Sequence, residues 1–397
     1  MPLPLEGVKV LDLSRVLAGP FCAAWLGDLG ADVIKIEDTA GGDEARTWPP
    51  QKDGESAAYL ACNRNKRGMT LDLKAPEGRE VLRRLVTDAD VLVENFRTGT
   101  MEGFGLGYER LSALNPSLIY CAISAFGRSG PLAHLAGYEA LMQAYTGVMS
   151  LTGEPDGEPV RCGLSFLDLT TGIIAAFAVV NALLVREKTG KGQVVECSLL
   201  QSAISLLNYH PQGYLLDGTV GKRLGSAHPS VVPYRNFRCR DGQYVFVAAA
   251  NDRLWSRLCG ALELDRLIGE SRFKTNLDRV AHRAEVEAAV AAAVGRHDLE
   301  AVLELFDREG VPAAPVKTID RLMRDPQVEH LGMIQPVTHS RLGEISAIGS
   351  PLKASAMDPG PRRAAPAYGE HTDEILREHG LSDAEIADLR ARGVIKP

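Results

Sequence analysis

Short apolar runs alternate with amphipathic stretches from the start of the chain. "VKVLDLS" (8–14) is an apolar run of strand length, and "DVIKIE" (32–37) is another. Between them "GPFCAAWLGDLGA" (19–31) reads as a helix with Pro20 near its first turn, where an absent N–H is tolerated. A strand, a helix and a strand in succession predict a parallel pair in a doubly wound sheet. The pattern continues with a helix over 76–88 and strands over 89–96 and 117–126. A helix over 138–151, the long apolar stretch "SFLDLTTGIIAAFAVVNALL" (165–184) and a strand over 192–200 follow. Residues 200–224 read as a helix and a connector.

Near Gly225 the rhythm changes. "YRNFRC-RDG-QYVFVAAA" predicts a β-hairpin, with Asp241 and Gly242 supplying the turn. Three helical segments follow (252–264, 283–297 and 298–310), which makes a smaller α+β unit ending near Ile319. From Gln335 the tail has strand-like pieces and then helices, the last opened by a capping box of Ser382 and Glu385.

The 397 residues exceed one simple core, so two domains are expected. Apolar residues at 45% and charged residues at 24% fit an ordinary soluble globular protein. A net charge of -7 argues against a nucleic-acid-binding surface. "MPLPLEGVKVLDLS" has no signal-peptide features. The longest apolar run, Gly172 to Val185, contains Asn181 and falls short of a bilayer span, so no membrane partner is expected. Seven scattered cysteines without a CxxC pair suggest free thiols in the cytoplasm. The nine histidines form no HExxH, so no metal site is expected.

Candidate chemistry starts from what is missing. The first β-α turn is "SRVLAGP" rather than GxGxxG, "GFGLGYER" has the wrong spacing, and neither a Walker A loop nor a GxSxG elbow occurs. Asp168, at the head of the long apolar stretch, has two readings. It is the N-cap of a helix, or a carboxylate nucleophile. Spacing alone leaves both open.

Several stretches together resemble class III CoA-transferases: "PLEGVKVLDLSRVLAGPFCAAWLGDLGADVIKIE", "NRNKRGMTLDLK", "DADVLVENFRTG", "AGYEALMQAYTGVMSLTG", "DLTTG", "KTGKGQVVECSLL" and "GEHTDEIL". They occur in the family's order over nearly the whole chain. "GDEARTW", "RLGSAHPSVVPY" and "DRVAHRAE" are most similar to the branch with succinate–hydroxymethylglutarate (glutarate) CoA-transferase. The resemblance implies an α/β fold. A Rossmann-like large domain (1–200 and 335–397) would carry a parallel sheet. A small α+β domain (225–320) would be joined to it through 201–224 and 321–334. It also implies an interlocked homodimer.

The implied reaction moves CoA from an acyl-CoA such as succinyl-CoA to a small acid such as a dicarboxylate. CoA thioesters are substrates, and no permanently bound cofactor is called for. Asp168 matches the family nucleophile, which passes through anhydride and aspartyl-CoA intermediates. Leu17, Ala18, Leu71, Asp72, Leu73, Lys74, Asn95, Phe96, Arg97, Gly137, Tyr138 and Glu139 fall in the CoA-contact segments. Arg64 and Lys66, with Arg67, form a basic cluster that suits CoA phosphates or, alternatively, a solvated loop. Asp38, Gly103 and Ala136 stand where formyl-CoA transferase has cations, so the phosphates must be held differently. For the distal carboxylate of a dicarboxylate the candidates are Arg46, Arg223 and His228. Against them stand local roles: Arg46 paired with Asp43 or Glu44, Arg223 on the surface, His228 shaping a turn before Pro229. A rival reading is an α-methylacyl-CoA racemase, whose His-Asp pair is replaced here by Tyr138 and Glu139. Tyr is a poor base near neutrality, which favours transfer, and Tyr138 could instead pack in the core. A further alternative is a CoA-thioester-binding protein without turnover.

Overall fold

The computed structural model describes residues 2–396, and it divides into two compact units. Unit one comprises 1–148, 162–218 and 326–397 by its outer bounds, so both chain ends belong to it. Unit two comprises 149–161 and 219–325. Segment 149–161, expected in the large domain, groups with unit two. Gly225 donates its N–H to Gly153 O at 2.9 Å, and Arg223 Nη2 donates to Gly157 O at 2.8 Å. Residues 201–217, expected as a connector, are mostly helical and belong to unit one.

Six strands among the described residues form the main sheet of unit one: β1 (Lys9–Asp12), β2 (Asp32–Glu37), β3 (Lys66–Thr70), β4 (Val91–Glu94), β5 (Ile119–Ser124) and β6 (Gln193–Ser198). Every pairing in it is parallel, and the order is 3-2-1-4-5-6. This is the Rossmann order, in which the winding reverses between β1 and β4. Alternate residues feed opposite faces. Val10, Val33, Val91 and Ile119 pack on one side, and Leu11, Ile34, Leu92 and Tyr120 on the other. The second face is covered by α2 (Pro76–Val86) and by C-terminal side chains including Ile375, Leu376, Ile386 and Leu389.

Strand β3 has no apolar signature in "KRGMT", yet all five residues are buried. Its lysine and arginine are neutralised internally, as described below. Its outer edge is met by the tail, where His371 N–H donates to Gly68 O at 2.8 Å.

The first face carries α1 (Ala18–Asp28), and α4 (Phe166–Thr189) packs on α1. Between α2 and α4 comes α3 (Glu139–Tyr145), which ends before Gly147, at φ +84°. The apolar run expected to be too short for a bilayer is part of a 24-residue helix that is long and apolar enough on length and composition. One side of α4, including Leu167, Gly172, Ala175, Ala176 and Val179, is buried against α1 and its surroundings, as in a core helix. Two further helices, α5 (Leu199–Leu207) and α6 (Tyr209–Asp217), follow β6. In unit two the expected hairpin forms between β7 (Tyr234–Arg238) and β8 (Tyr244–Ala248), with Gly242 at φ +83°, and β9 (Ala313–Pro315) adds a third strand.

Gly172 sets the approach of α1 and α4. A Cβ there would lie 2.6 Å from the Ala18 carbonyl oxygen, a backbone atom that cannot swing away. Replacing Gly172 by Ala is therefore expected to destabilise unit one by about 2 kcal/mol, as overpacking exceeds the gain in helix propensity. Urea unfolding of the Gly172→Ala variant checks this; unchanged stability would mean that α4 shifts freely.

Candidate active site

The carboxyl ends of the strands meet a cavity of about 230 Å³ at the switch point. Its walls come from the loop after β1 (Arg15–Ala18), the loop after β4 (Asn95–Thr98), the loop after β5, the segment through Gly137 and Tyr138, and Asp168. Asp168 and Gly172 are one turn apart on the same side of α4. The close contact of Gly172 with Ala18 thus brings Asp168 to the N-terminus of α1.

Asp168 is not an N-cap. Ser165 holds that position, and Asp168 lies in the first turn. Its carboxylate accepts no hydrogen bond among the described residues, unlike a carboxylate retained for structure. Burial, and then the charge of Glu139, push its pKa up to about 7. Glu139 is buried behind it, accepting from Gln143 Nε2 at 2.6 Å and from the Leu167 amide at 3.5 Å. Leu17 and Ala18 line the same cavity, and their amides donate to no acceptor among the described residues, as expected at a helix N-terminus.

A second cavity, also about 230 Å³, is lined by Leu13, Ile36, Leu71, Leu73, Phe96 and Phe104, with Lys74 at its edge. Arg15 and Phe96 line both cavities, and the Arg15 guanidinium lies 5.3 Å from the Phe96 ring centre.

A family model for CoA-transferase family III matches residues 5–372. The chain belongs to CoA-transferase family III. As a family III enzyme it is 40% identical to human succinyl-CoA:glutarate CoA-transferase over 394 residues, covering 99% of this chain and 90% of that one. It is 39% identical to succinate–glutarate CoA-transferase of Agrobacterium fabrum over 382 residues, covering 94% of this chain and 95% of that one. A crystal structure of a CAIB/BAIF family protein from Brucella suis superposes with a TM-score of 0.86 at 39% identity, covering 96% of this chain and 100% of that one.

In this CoA-transferase Leu17, Ala18, Asn95, Phe96, Arg97, Gly137, Tyr138 and Asp168 converge on the first cavity, and Leu71, Leu73 and Lys74 on the second. Asp72 lines neither; its carboxylate accepts the Lys74 amide at 2.9 Å and shapes the turn. Tyr138 is 67% exposed, so it does not pack in the core.

The basic cluster is corrected outright: it is neither a phosphate site nor a solvated loop. Lys66 is wholly buried and donates to Asp12 at 2.7 Å, Pro20 O at 2.8 Å and Asn63 at 2.8 Å. Burial pushes its pKa down to about 8 against the pull of Asp12. Arg64 pairs with Asp28 at 2.6 Å, and Arg67 with Asp32, Glu374 and Glu378. These donors are already satisfied within the protein.

Arg46 is also corrected. It grips Glu37 with two bonds of 2.8 and 2.7 Å and stacks 3.6 Å from the Tyr59 ring centre. It orders its loop, through Glu37 rather than Asp43 or Glu44. Arg223 and His228 lie in unit two. Arg223 donates to the Glu154 and Gly157 carbonyls, and His228 Nδ1 accepts the Ser230 amide at 3.1 Å, just past Pro229.

Two features escaped sequence reading. Arg15 belongs to the "SRVLAGP" turn, where the search for a glycine fingerprint drew attention from its charge. Glu94 ends β4 wholly buried, accepts the Phe96 amide at 2.8 Å, and has its pKa pushed to about 7 by burial despite Arg128.

A raised carboxyl pKa means that the folded state holds its proton more tightly than the unfolded chain. Stability from Asp168 is then present at low pH and is lost as pH rises from about 4 through about 7. The N-cap reading would have Asp168 substitutions cost stability. The geometry gives the opposite sign: Asp168→Asn is expected to stabilise the protein by about 1–2 kcal/mol at pH 8, after allowance for solvent screening, and by nothing at pH 4. Thermal melting of both proteins at the two pH values checks this; a loss at pH 8 would contradict the unpartnered carboxylate.

Proposed function

We propose that this enzyme moves CoA from succinyl-CoA to a small dicarboxylate such as glutarate, with Asp168 as covalent nucleophile. The observation that carries the reading is an unpartnered carboxylate in a cavity at the switch point, which it shares with Leu17 and Ala18 at the α1 N-terminus. Its carboxylate attacks the thioester carbonyl, giving a succinyl-aspartyl anhydride and CoA thiolate. The thiolate attacks the Asp168 carbonyl, forming aspartyl-CoA and releasing succinate. The acceptor carboxylate attacks that thioester, forming a new anhydride and CoA thiolate again. Attack of the thiolate on the acceptor acyl carbon gives product acyl-CoA and restores Asp168. Each step passes through a tetrahedral oxyanion, for which the Leu17 and Ala18 amides are the donors. The apolar slot suits the adenine of CoA. Arg15, shared by both cavities, and Arg97 supply the cations for its diphosphate, in place of the buried "NRNKR" cluster.

The dicarboxylate preference rests on similarity to two glutarate-using relatives. The family resemblance also supports an interlocked homodimer. Exposed apolar side chains on α4, α5 and α6 fit such burial, among them Phe177 at 70% and Leu216 at 80% exposure. Seven free cysteines, six of them buried, fit a cytoplasmic setting.

Incubation with succinyl-CoA and hydroxylamine should convert Asp168 to its hydroxamate, detected by peptide mass spectrometry, and glutarate should outcompete a monocarboxylate of equal length as acceptor. Turnover by Asp168→Asn, or labelling elsewhere, would end the nucleophile assignment; preference for the monocarboxylate would end only the dicarboxylate assignment.

Interlocked subunits bury more than roughly 2,000 Å², enough to persist on dilution. Sedimentation at nanomolar concentration is expected to show a dimer; a folded, active monomer would refute the interlock.

A further inference from the structure

Val16 is a β-branched residue held at φ +71°, in the left-handed region that side chains like valine avoid. It immediately precedes Leu17 and Ala18, which line the same cavity as Asp168. Something must hold it there, and the Asp43 carboxylate does so directly. The Val16 N–H is shared between Asp43 Oδ1 at 3.0 Å and Oδ2 at 3.1 Å. Asp43 is 1% exposed and is itself fixed from three sides. Lys35 Nζ donates to it at 3.0 Å, its own amide donates to Glu37 at 2.9 Å, and its Oδ1 accepts the Ala45 amide at 3.0 Å. Lys35, also fully buried, reaches the Ser14 carbonyl as well, so one ion pair holds the loop at two backbone groups. Burial would raise the Asp43 pKa, but Lys35 and these amides hold it below the usual carboxylate range.

We infer that Asp43, braced by Lys35, is a positioning residue: by pinning the Val16 amide it keeps Val16 left-handed, and so aims the Leu17 and Ala18 amides at the oxyanion that forms on the carbonyl oxygen during attack at Asp168. This rests on the covalent role proposed for Asp168. Asp43 does not touch the reacting atoms; it acts only through the backbone of Val16. The loop then stores the strain of Val16 in a fixed shape that needs no rearrangement as the oxyanion forms.

The test is a double-mutant cycle in the full-length enzyme. Asp43→Asn weakens the anchor and should lower kcat about a hundredfold while KM for succinyl-CoA changes less than about threefold. Val16→Gly removes the reason an anchor is needed, because glycine adopts positive φ freely. Whatever Val16→Gly does to kcat by itself, adding Asp43→Asn to it should cost at least tenfold less kcat than Asp43→Asn costs in the wild-type chain. The pH midpoint of kcat/KM should stay at the wild-type value in every variant, since the role is geometric rather than electrostatic. Should Asp43→Asn fail to fold, replacing the residue at 16 by its α-hydroxy acid deletes the N–H and leaves Asp43 and Lys35 intact; the same loss of kcat is expected. Full kcat in folded Asp43→Asn or in the ester, the same loss from Asp43→Asn with and without Val16→Gly, or a shifted pH midpoint each overturns the inference. Hydroxylamine labelling of Asp168 in the wild type reports separately on the nucleophile, so the two failures are distinguishable.

Discussion

Between Ser14 and Val16 the chain has left β1 and has not yet entered α1, so its backbone groups have no ladder to join. Side chains take them up instead. Asp12 accepts the Ser14 amide at 3.0 Å, Lys35 donates to its carbonyl, and Asn95 closes both sides of Arg15 at 2.8 Å each. Two of these, Asp12 and Lys35, belong with Asp43 to a buried ionic group whose charges cannot be left single. Asp12 sits between Lys66 at 2.7 Å and Lys35 at 4.0 Å, and Lys35 reaches on to Asp43. Burial would raise the Asp12 carboxyl, yet the two lysines together hold it below its ordinary range. Removing one member would strand another inside the protein, a loss of about 3–5 kcal/mol. The walls of the Asp168 cavity thus share their support with the sheet itself.

Asp168 stands where opposing effects nearly balance. The N-terminus of α4 favours a negative charge by about 0.3–1 kcal/mol. Burial and Glu139 act the other way and prevail, leaving a pKa of about 7. A carboxylate with no hydrogen bonds to give up is a better nucleophile than a solvated one. The same absence of partners makes it a burden on the fold.

Strands and helices of unit one were legible because alternation and helical spacing record which face is buried. The hairpin at Asp241-Gly242 and the capping box at Ser382 were legible because turn and cap chemistry is local. β3 was not, since a strand whose lysine and arginine are neutralised inside has no apolar pattern to show. "NRNKR" looked basic and exposed for the same reason. The carboxylates that neutralise it, Asp12, Asp28, Asp32, Glu374 and Glu378, lie up to more than three hundred residues away in sequence.

The sequence by itself determined the parallel α/β sheet, the change of architecture past Gly225 and, through motif order, the family. Those are properties of local period and of short motifs. Tertiary structure alone decided which charges face a ligand and which face one another. It turned Arg46 to Glu37, sealed Lys66 against Asp12, left Arg15 at the meeting of two cavities, and brought Asp168 to the α1 N-terminus through a contact that only Gly172 permits. Pairing between charges depends on distance in space, and the residue spacing along a chain carries no record of it.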